Sequence, residues 1–503
     1  MTQSSERMSR VDTAWLRMDS PVNLMMIVGI WLLRPALDAA ALRERIESRL
    51  LRYARFRQKV VREDVLSYWV VDDDFDIERH LVREKLARRR GQSERAALQA
   101  RASALAATPL DPAHPLWQIH LIDRYEDGSA LIVRIHHCIA DGIALNSVLL
   151  SIADGATELP RSAHDDAVVD DPGDGGDSLA RAVIRPLTEG AVKAIGLYGD
   201  GVVGAIELLA HPRRTADESA ALAGAGYQVL HDAAALALLP DDSPTLLKGA
   251  LDGVKVVAWC EPLPLADVKA VGKALNCSVN DVLLACAAGA IGGYLRERGD
   301  DPAGKEIRAM VPVNLRPLDV AWQLGNRFGL APVLLPIGID NAVERVYAVR
   351  ARMRELKGSY QPLLAYALLA VSGVLTKPLQ DALSDVFLRK TTAVMTNVPG
   401  PSQPLVFCGS TLRQSIFWVP SSGDVGVGVS IVSYAGGVQF GLITDRRRCA
   451  EPQRIIDRFA PEFEKLLLLS LMLPWADEVS RLALPAHERA APAVSPARRA
   501  PST

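Results

Sequence analysis

The chain has 503 residues, of which 49% are hydrophobic and 23% charged, enough for two or three domains with full cores. A formal net charge of −2 gives no general electrostatic pull toward nucleic acid. The longest apolar runs, 362–375 and 466–473, are shorter than the ~18–20 residues that cross a bilayer, which excludes an integral membrane span.

In chain order, the apolar stretch 24–33 (LMMIVGIWLL) follows Asp12, Asp19 and Pro21 with no strongly positive leader, so it reads as a first core strand and not as a signal peptide. Residues 37–60 have the helical spacing of Leu42, Ile46, Leu50, Leu51 and Tyr53, with Asp38 placed to cap the helix. A strand at 68–71 and an Ala/Arg-rich helix at 92–107 follow, the helix ended by Pro109, Pro112 and Pro115. Residues 116–122 and 130–135 form two strands joined through Glu126-Asp127-Gly128, and a short helix begins after Gly142.

The composition turns acidic and Gly/Pro-rich at 160–177, a flexible linker. Residues 179–209 are apolar but interrupted by glycine and read as crossover helices, with an interfacial helix that touches lipid as the sharper alternative. A second α/β unit opens near Lys248, with a strand at 254–259, helices at 265–275 and 279–295, a strand at 307–313 and late strands between 394 and 442. The resulting division is an N-terminal half (1–159), a linker with crossover helices (160–247), a C-terminal half (248–483) and a disordered tail (484–503) rich in Ala, Pro and Arg.

The most informative stretch is His136-His137-Cys138-Ile139-Ala140-Asp141-Gly142, directly after the apolar run 130–135. Strand side chains alternate, so Leu131, Val133, Ile135 and His137 share one face while Ile132, Arg134 and His136 share the other. The first face is apolar up to His137, where a desolvated imidazole stays neutral near pH 7 and can accept a proton. His136 points elsewhere and reads as structural. A metal site would need His136, His137 and Asp141 on one ion, but adjacent strand residues diverge, so no metal is assigned.

The six cysteines form no CxxC pair, the pattern of a reducing cytoplasm, and Cys138 is given no nucleophilic role. The clusters Arg88-Arg89-Arg90 and Arg446-Arg447-Arg448 read as solvated faces, with anionic lipid or CoA phosphates as the alternative. The stretch Gly299 to Lys305 fits GxxxxGK, but Glu306 stands where a P-loop needs Ser or Thr and the loop follows a helix. No GxSxG nucleophile elbow occurs.

The two histidines, Asp141 and Gly142 resemble the HHxxxDG signature of the CoA-dependent acyltransferase superfamily. Pro115-Leu116-Trp117, Asn280-Asp281, the segment from Val311 to Arg316, Gly325-Asn326, the segment from Asn397 to Pro401, and Ser433-Tyr434-Ala435-Gly436-Gly437 followed by Phe440-Gly441 and Asp445 are similar, in order and spacing, to the bacterial wax ester synthase/diacylglycerol acyltransferase family. The likeness runs from about residue 11 to 473. It implies an α/β fold of two chloramphenicol-acetyltransferase-like halves with a substrate tunnel between them.

By the same resemblance, the chain moves a long acyl group from acyl-CoA, a co-substrate, to a fatty alcohol or diacylglycerol, with no metal or bound cofactor. The implied site comprises His137 as general base with His136, Asp141 and Gly142 of the motif, and Asn280 as a polar group for the oxyanion. For Asn280 the alternative is an N-cap of the helix near Asp281. The superfamily pairs its motif aspartate with an arginine at the end of the first long helix, which maps onto an Asp141–Arg57 salt bridge with Arg55 as fallback. Two departures are that 254–257 lacks the arginines often found there and that the 160–177 linker is unusually acidic. The implied place is the cytoplasm, with peripheral contact to a membrane face or lipid inclusion. The competing readings are a catalytically weak lipid-binding protein on the same scaffold, and acyl transfer to another alcohol.

Overall fold

The computed structural model describes residues 5–63, 66–155, 240–315, 324–357, 359, 361–373, 375, 377–381 and 390–472. The strands are β1 (Glu6–Arg7), β2 (Met26–Arg34), β3 (Gln58–Glu63), β4 (Leu66–Val71), β5 (Leu81–Glu84), β6 (Trp117–Tyr125), β7 (Gly128–His136), β8 (Lys255–Trp259), β9 (Leu263–Pro264), β10 (Ile307–Asn314), β11 (Phe328–Leu335), β12 (Ala393–Pro399), β13 (Val406–Phe407), β14 (Ser410–Trp418), β15 (Val427–Tyr434) and β16 (Gly437–Asp445). The helices are α1 (Arg10–Arg17), α2 (Ala39–Ser48), α3 (Ile77–His80), α4 (Glu94–Ala106), α5 (Gly142–Ile152), α6 (Leu265–Ala274), α7 (Val279–Glu297), α8 (Ala342–Lys357), α9 (Gln361–Ser372) and α10 (Gln453–Met472).

These elements build two α/β halves. The first has a sheet of order β13-β14-β2-β7-β6-β5, antiparallel except for the parallel β5–β6 pair. The second has β11-β10-β12-β15-β16-β8, with β9 added beside β16. β2 and β7 are apolar on both faces because both are covered. Val28, Ile30 and Ile132 pack with Leu98, Ala102 and Leu105 of α4, while Leu131 packs with Leu42 and Ile46 of α2 and Ala144 and Val148 of α5. Such double coverage is what a nearly continuous apolar strand signals. In the second half α7 is buried for most of its length and packs against α8 and α10.

Three expectations are corrected. The helix from residue 37 stops at Ser48, with Asp38 accepting from the Ala41 amide at 3.0 Å. The chain then passes through two short 3-10 turns, Leu50–Arg52 and Ala54–Phe56, before β3. The apolar spacing past Leu50 is used by these turns, which bury Phe56 beneath Trp117, whose indole N–H donates to the Phe56 carbonyl at 2.9 Å.

The boundary at 248 also moves. Leu247 is fully buried in the second core, and Asp242 accepts from the Arg308 amide at 3.1 Å, so the C-terminal half already includes Pro240. The crossover segment, apart from 240–247, and the tail lie outside the described residues, as do 156–159 and 473–483.

Third, β13 and β14 do not belong to the second sheet. β14 leaves the C-terminal half and pairs antiparallel with β2, from Thr411↔Arg34 to Trp418↔Val28. A strand apolar on both faces, such as β2, would be an aggregation-prone edge if left unpaired, and β14 covers it. The exchange joins the two halves.

Candidate active site

β7 ends at His136, and the ladder carries on briefly, since the His136 amide donates to the Leu116 carbonyl at 2.9 Å and the His137 amide to the Met25 carbonyl at 2.7 Å. The motif then turns into α5. Asp141 caps that helix, its Oδ1 accepting from the Ala144 amide at 2.9 Å, and its Oδ2 accepts from the Arg327 amide at 3.0 Å. The motif aspartate therefore fastens the turn to the segment before β11.

The expected ion pair with Arg57 is not formed. Arg57 closes the second 3-10 turn with an exposed side chain, and among the described residues no salt bridge joins it to Asp141. Arg55, the fallback, is taken by Glu6 at 2.5 Å and Gln58 at 2.8 Å and lies over the Trp69 ring. The helix ends at Ser48, so Arg57 follows two 3-10 turns and faces solvent, while both carboxylate oxygens of Asp141 accept from main-chain amides.

His137 is 4% exposed. Its ring stacks on Trp15 of α1 at 4.4 Å between centroids and 19° between planes, with Phe328 of β11 at 5.5 Å. Nδ1 lies 2.8 Å from Oδ1 of Asn326. The Asn326 amide nitrogen donates to Asp12 Oδ1 at 2.7 Å and to the His137 carbonyl at 2.7 Å, and the Asn326 main-chain N–H also donates to Asp12 at 3.1 Å. Burial lowers the His137 pKa to about 4, against the raising influence of Asp141. Burial likewise raises Asp12 to about 6, opposed by its hydrogen bonds with Asn326.

Gly325 brings Asn326 there. Its φ of 104° is one that residues with a side chain rarely adopt. In that conformation it accepts from the Asp141 amide at 3.3 Å and donates to the Ile139 carbonyl at 3.1 Å. Sequence reasoning gave no role to Asp12, Trp15 or Asn326. The Gly325-Asn326 pair was the available signal.

His136 is bound on both nitrogens. Nε2 lies 3.2 Å from Asp19, and Nδ1 accepts from the Cys138 amide at 3.1 Å. Burial opposes ionisation of Asp19, but its hydrogen bond and charge interaction with His136 outweigh that and lower its pKa. Cys138 is buried, and burial holds its thiol well above the usual range. All six cysteines are free thiols. Among the described residues no group of three His, Cys, Asp or Glu side chains could hold a metal ion.

Asn280 is exposed in the first turn of α7 and accepts a hydrogen bond from Asn397 on β12. It is not the N-cap. Ser278 caps the helix in a reciprocal box with Asp281, at 3.2 and 2.8 Å. The structure thus groups His137, Asp141 and Gly142 in one turn and sets Asn280 on the neighbouring half beside Asn397.

An apolar cavity, partly open to solvent, begins beside this turn. Its wall on the first sheet is Gly29, Trp31, Leu131, Val133 and Ile135, α2 and α5 close the opposite side, and Val398, Gly400 and Val432 come from the second half. Ile135, two residues before His137, and Gly142, five after it, both line the cavity. A Cβ added at Gly142 would meet only Val398 Cγ2, at 3.8 Å. Packing against the protein therefore does not demand a glycine there.

Two α/β halves joined by an exchanged strand, with a buried HHxxxDG turn at their meeting point, define the two-lobed class of CoA-dependent acyltransferases. The family model for the wax ester synthase/diacylglycerol acyltransferase catalytic domain matches residues 8–283, and that for the WS/DGAT C-terminal domain matches 324–467. The chain belongs to the wax ester synthase/diacylglycerol acyltransferase family.

A probable diacylglycerol O-acyltransferase of Mycobacterium tuberculosis is 28% identical over 419 residues, 82% of this chain and 84% of its own length. A putative diacylglycerol O-acyltransferase of the same species is 28% identical over 492 residues, covering 90% and 96%. The wax ester synthase/diacylglycerol acyltransferase of Marinobacter aquaeolei superposes with a TM-score of 0.61 at 22% identity, over 92% of this chain and 99% of that one. The starter condensation domain of rhizomide synthetase, solved with C8-CoA, shares the fold with a TM-score of 0.53 at 15% identity, over 93% and 95%.

Proposed function

We propose that this acyl-CoA-dependent O-acyltransferase moves a long-chain acyl group onto diacylglycerol or a fatty alcohol, making triacylglycerol or wax ester, with His137 as the general base and the cavity as the seat of the acyl chain. The observation that carries the reading is the apolar cavity lined by Ile135, just before the motif, and by Gly142 at its end. The bare Cα of Gly142 leaves room for a substrate at that point.

In the reaction, neutral His137 takes the proton of the acceptor hydroxyl as its oxygen attacks the thioester carbon. The tetrahedral intermediate then collapses, the C–S bond breaks, and the imidazolium returns the proton to the CoA thiolate. Burial keeps the imidazole neutral near pH 7, the state in which it can accept the hydroxyl proton. Holding the two chains together supplies a further share of the rate.

Contact with a lipid surface fits the end of α10, where Leu468, Leu469, Leu471 and Met472 are 63%, 41%, 75% and 81% exposed. Among the described residues no single helix is long and apolar enough to cross a membrane.

The test is thiol release from palmitoyl-CoA with the lipid product identified by mass spectrometry, using dioleoylglycerol and hexadecanol as acceptors. Acceptor-dependent thiol release with ester formation is expected. Thiol release that ignores the acceptor, or none at all, would overturn the reading.

A further inference from the structure

We infer that Asn326 and Asp12 are positioning residues for the transfer, holding His137 in the one neutral tautomer that can act as a base: proton on Nδ1, lone pair on Nε2. The inference rests on His137 being the base.

The hydrogen-bond pattern leaves a single assignment. One side-chain atom of Asn326 lies 2.7 Å from Asp12 Oδ1 and 2.7 Å from the His137 carbonyl. Both of these accept only, so that atom is the amide nitrogen. The atom 2.8 Å from His137 Nδ1 is then the amide oxygen, which cannot donate. Nδ1 must carry the hydrogen, which the ring's own His137 carbonyl also accepts, and in a neutral ring Nε2 keeps its lone pair.

Asp12 is the lock. A side-chain amide turned by half a rotation would direct its N–H groups at Nδ1, select the Nε2–H tautomer and leave no base. With Asp12 and the His137 carbonyl both waiting for a donor, the turned state loses two hydrogen bonds. Asp12 also accepts from the Asn326 main-chain N–H at 3.1 Å, so the residue is gripped at its backbone and its side chain by one oxygen. Trp15, on the same helix as Asp12, stacks on the imidazole and opposes rotation of the ring.

The parts come from three places: Asp12 and Trp15 from α1, His137 from the end of β7, and Asn326 from the second half, 189 residues after His137. The base is therefore oriented only when the two halves are docked. Because burial keeps the ring neutral, the choice of tautomer, and not the charge, decides whether Nε2 can take a proton.

The experiment uses the full chain with Asn326→Leu, Asp12→Ala, the Asp12→Asn/Asn326→Asp double variant and His137→Ala, measured as kcat and KM for palmitoyl-CoA. Histidine tautomers are read by NMR on 15N-histidine-labelled protein, with the His137 signals assigned by their loss in His137→Ala. Asn326→Leu and Asp12→Ala should each lower kcat about 10- to 100-fold with KM within twofold, and should move His137 from pure Nδ1–H toward a mixture. A wrong histidine tautomer in a catalytic triad costs up to about 10⁴-fold, so these values are modest. The Asp12→Asn/Asn326→Asp double variant, which keeps an acceptor at Nδ1 and sets a donor amide opposite the new carboxylate, should recover part of kcat and guards against a misfolded Leu variant. If His137→Ala is inactive but Asn326→Leu keeps kcat within twofold, or if activity falls with the tautomer unchanged, the positioning role is wrong and the base assignment stands. If His137→Ala itself turns over like the parent, the base assignment fails first.

Discussion

Gly29→Leu tests whether the acyl chain lies along the first sheet. A Cβ at Gly29 would sit 3.6 Å from the Ile416 carbonyl oxygen, 3.7 Å from Phe417 Cβ and 4.0 Å from Val133 Cβ, all ordinary contacts, so the strand need not move. Gly29 lines the cavity, and the remaining carbons of the leucine enter it. They displace about three methylenes of a bound chain. At ~0.8 kcal/mol each this is ~2.4 kcal/mol, or roughly a 50-fold loss in kcat/KM for chains long enough to pass Gly29. Shorter chains should be spared, so the optimum moves from palmitoyl-CoA toward octanoyl- or decanoyl-CoA. The assay is kcat/KM across acyl-CoAs of even length from 2 to 18 carbons, with the parent expected to favour long chains over acetyl-CoA. A ratio of palmitoyl to octanoyl activity unchanged within twofold, or an equal loss at every length, would refute the placement of the chain.

His137→Ala should lower kcat by about 10²–10⁴, the usual share of a general base; His136→Ala should keep kcat within about tenfold yet cost ~1–3 kcal/mol in urea unfolding, since it removes the partner of Asp19 Oδ2 and of the buried Cys138 amide. Asp141→Ala removes both the α5 cap and the Arg327 contact and should destabilise by ~1–3 kcal/mol. Arg57→Ala, at an exposed site, should stay within ~0.5 kcal/mol in the same denaturation assay. The pH dependence of stability has a definite sign. The His137 pKa falls from 6.5 to about 4 on folding, so between those values the unfolded chain binds more protons and stability attributable to this ring rises with pH, levelling above about 6.5. Asp12, raised from 3.8 to about 6, works in the opposite direction over pH 4–6. The two offset in the parent, so the measurement is the parent's unfolding free energy minus that of His137→Gln. This difference should grow by ~3 kcal/mol from pH 4 to 6.5, and a flat difference would contradict the buried neutral ring.

The strand alternation that places His137 on the face of Leu131, Val133 and Ile135 is local, and the cavity lies on that same face. The β6–β7 hairpin, the cap at Asp38 and the span of α7 were legible for the same reason: period and capping act within a few residues. The Asp141 cap was legible too, as an Asp ahead of the helix at Gly142, but a long-range ion pair was preferred to the amide three residues away. Helical spacing past Leu50 misled because 3-10 turns also bury residues three apart.

What the chain determined on its own was thus which residue types stand at the end of which strand face. Tertiary structure decided that β14 crosses to pair with β2, that Gly325 turns Asn326 onto the imidazole, and that Asp12 and Trp15 close around it from the opposite end of the sequence. Local pattern records which side of an element is apolar, whereas a contact across 189 residues depends on how two finished halves dock, and no periodicity within either half encodes that.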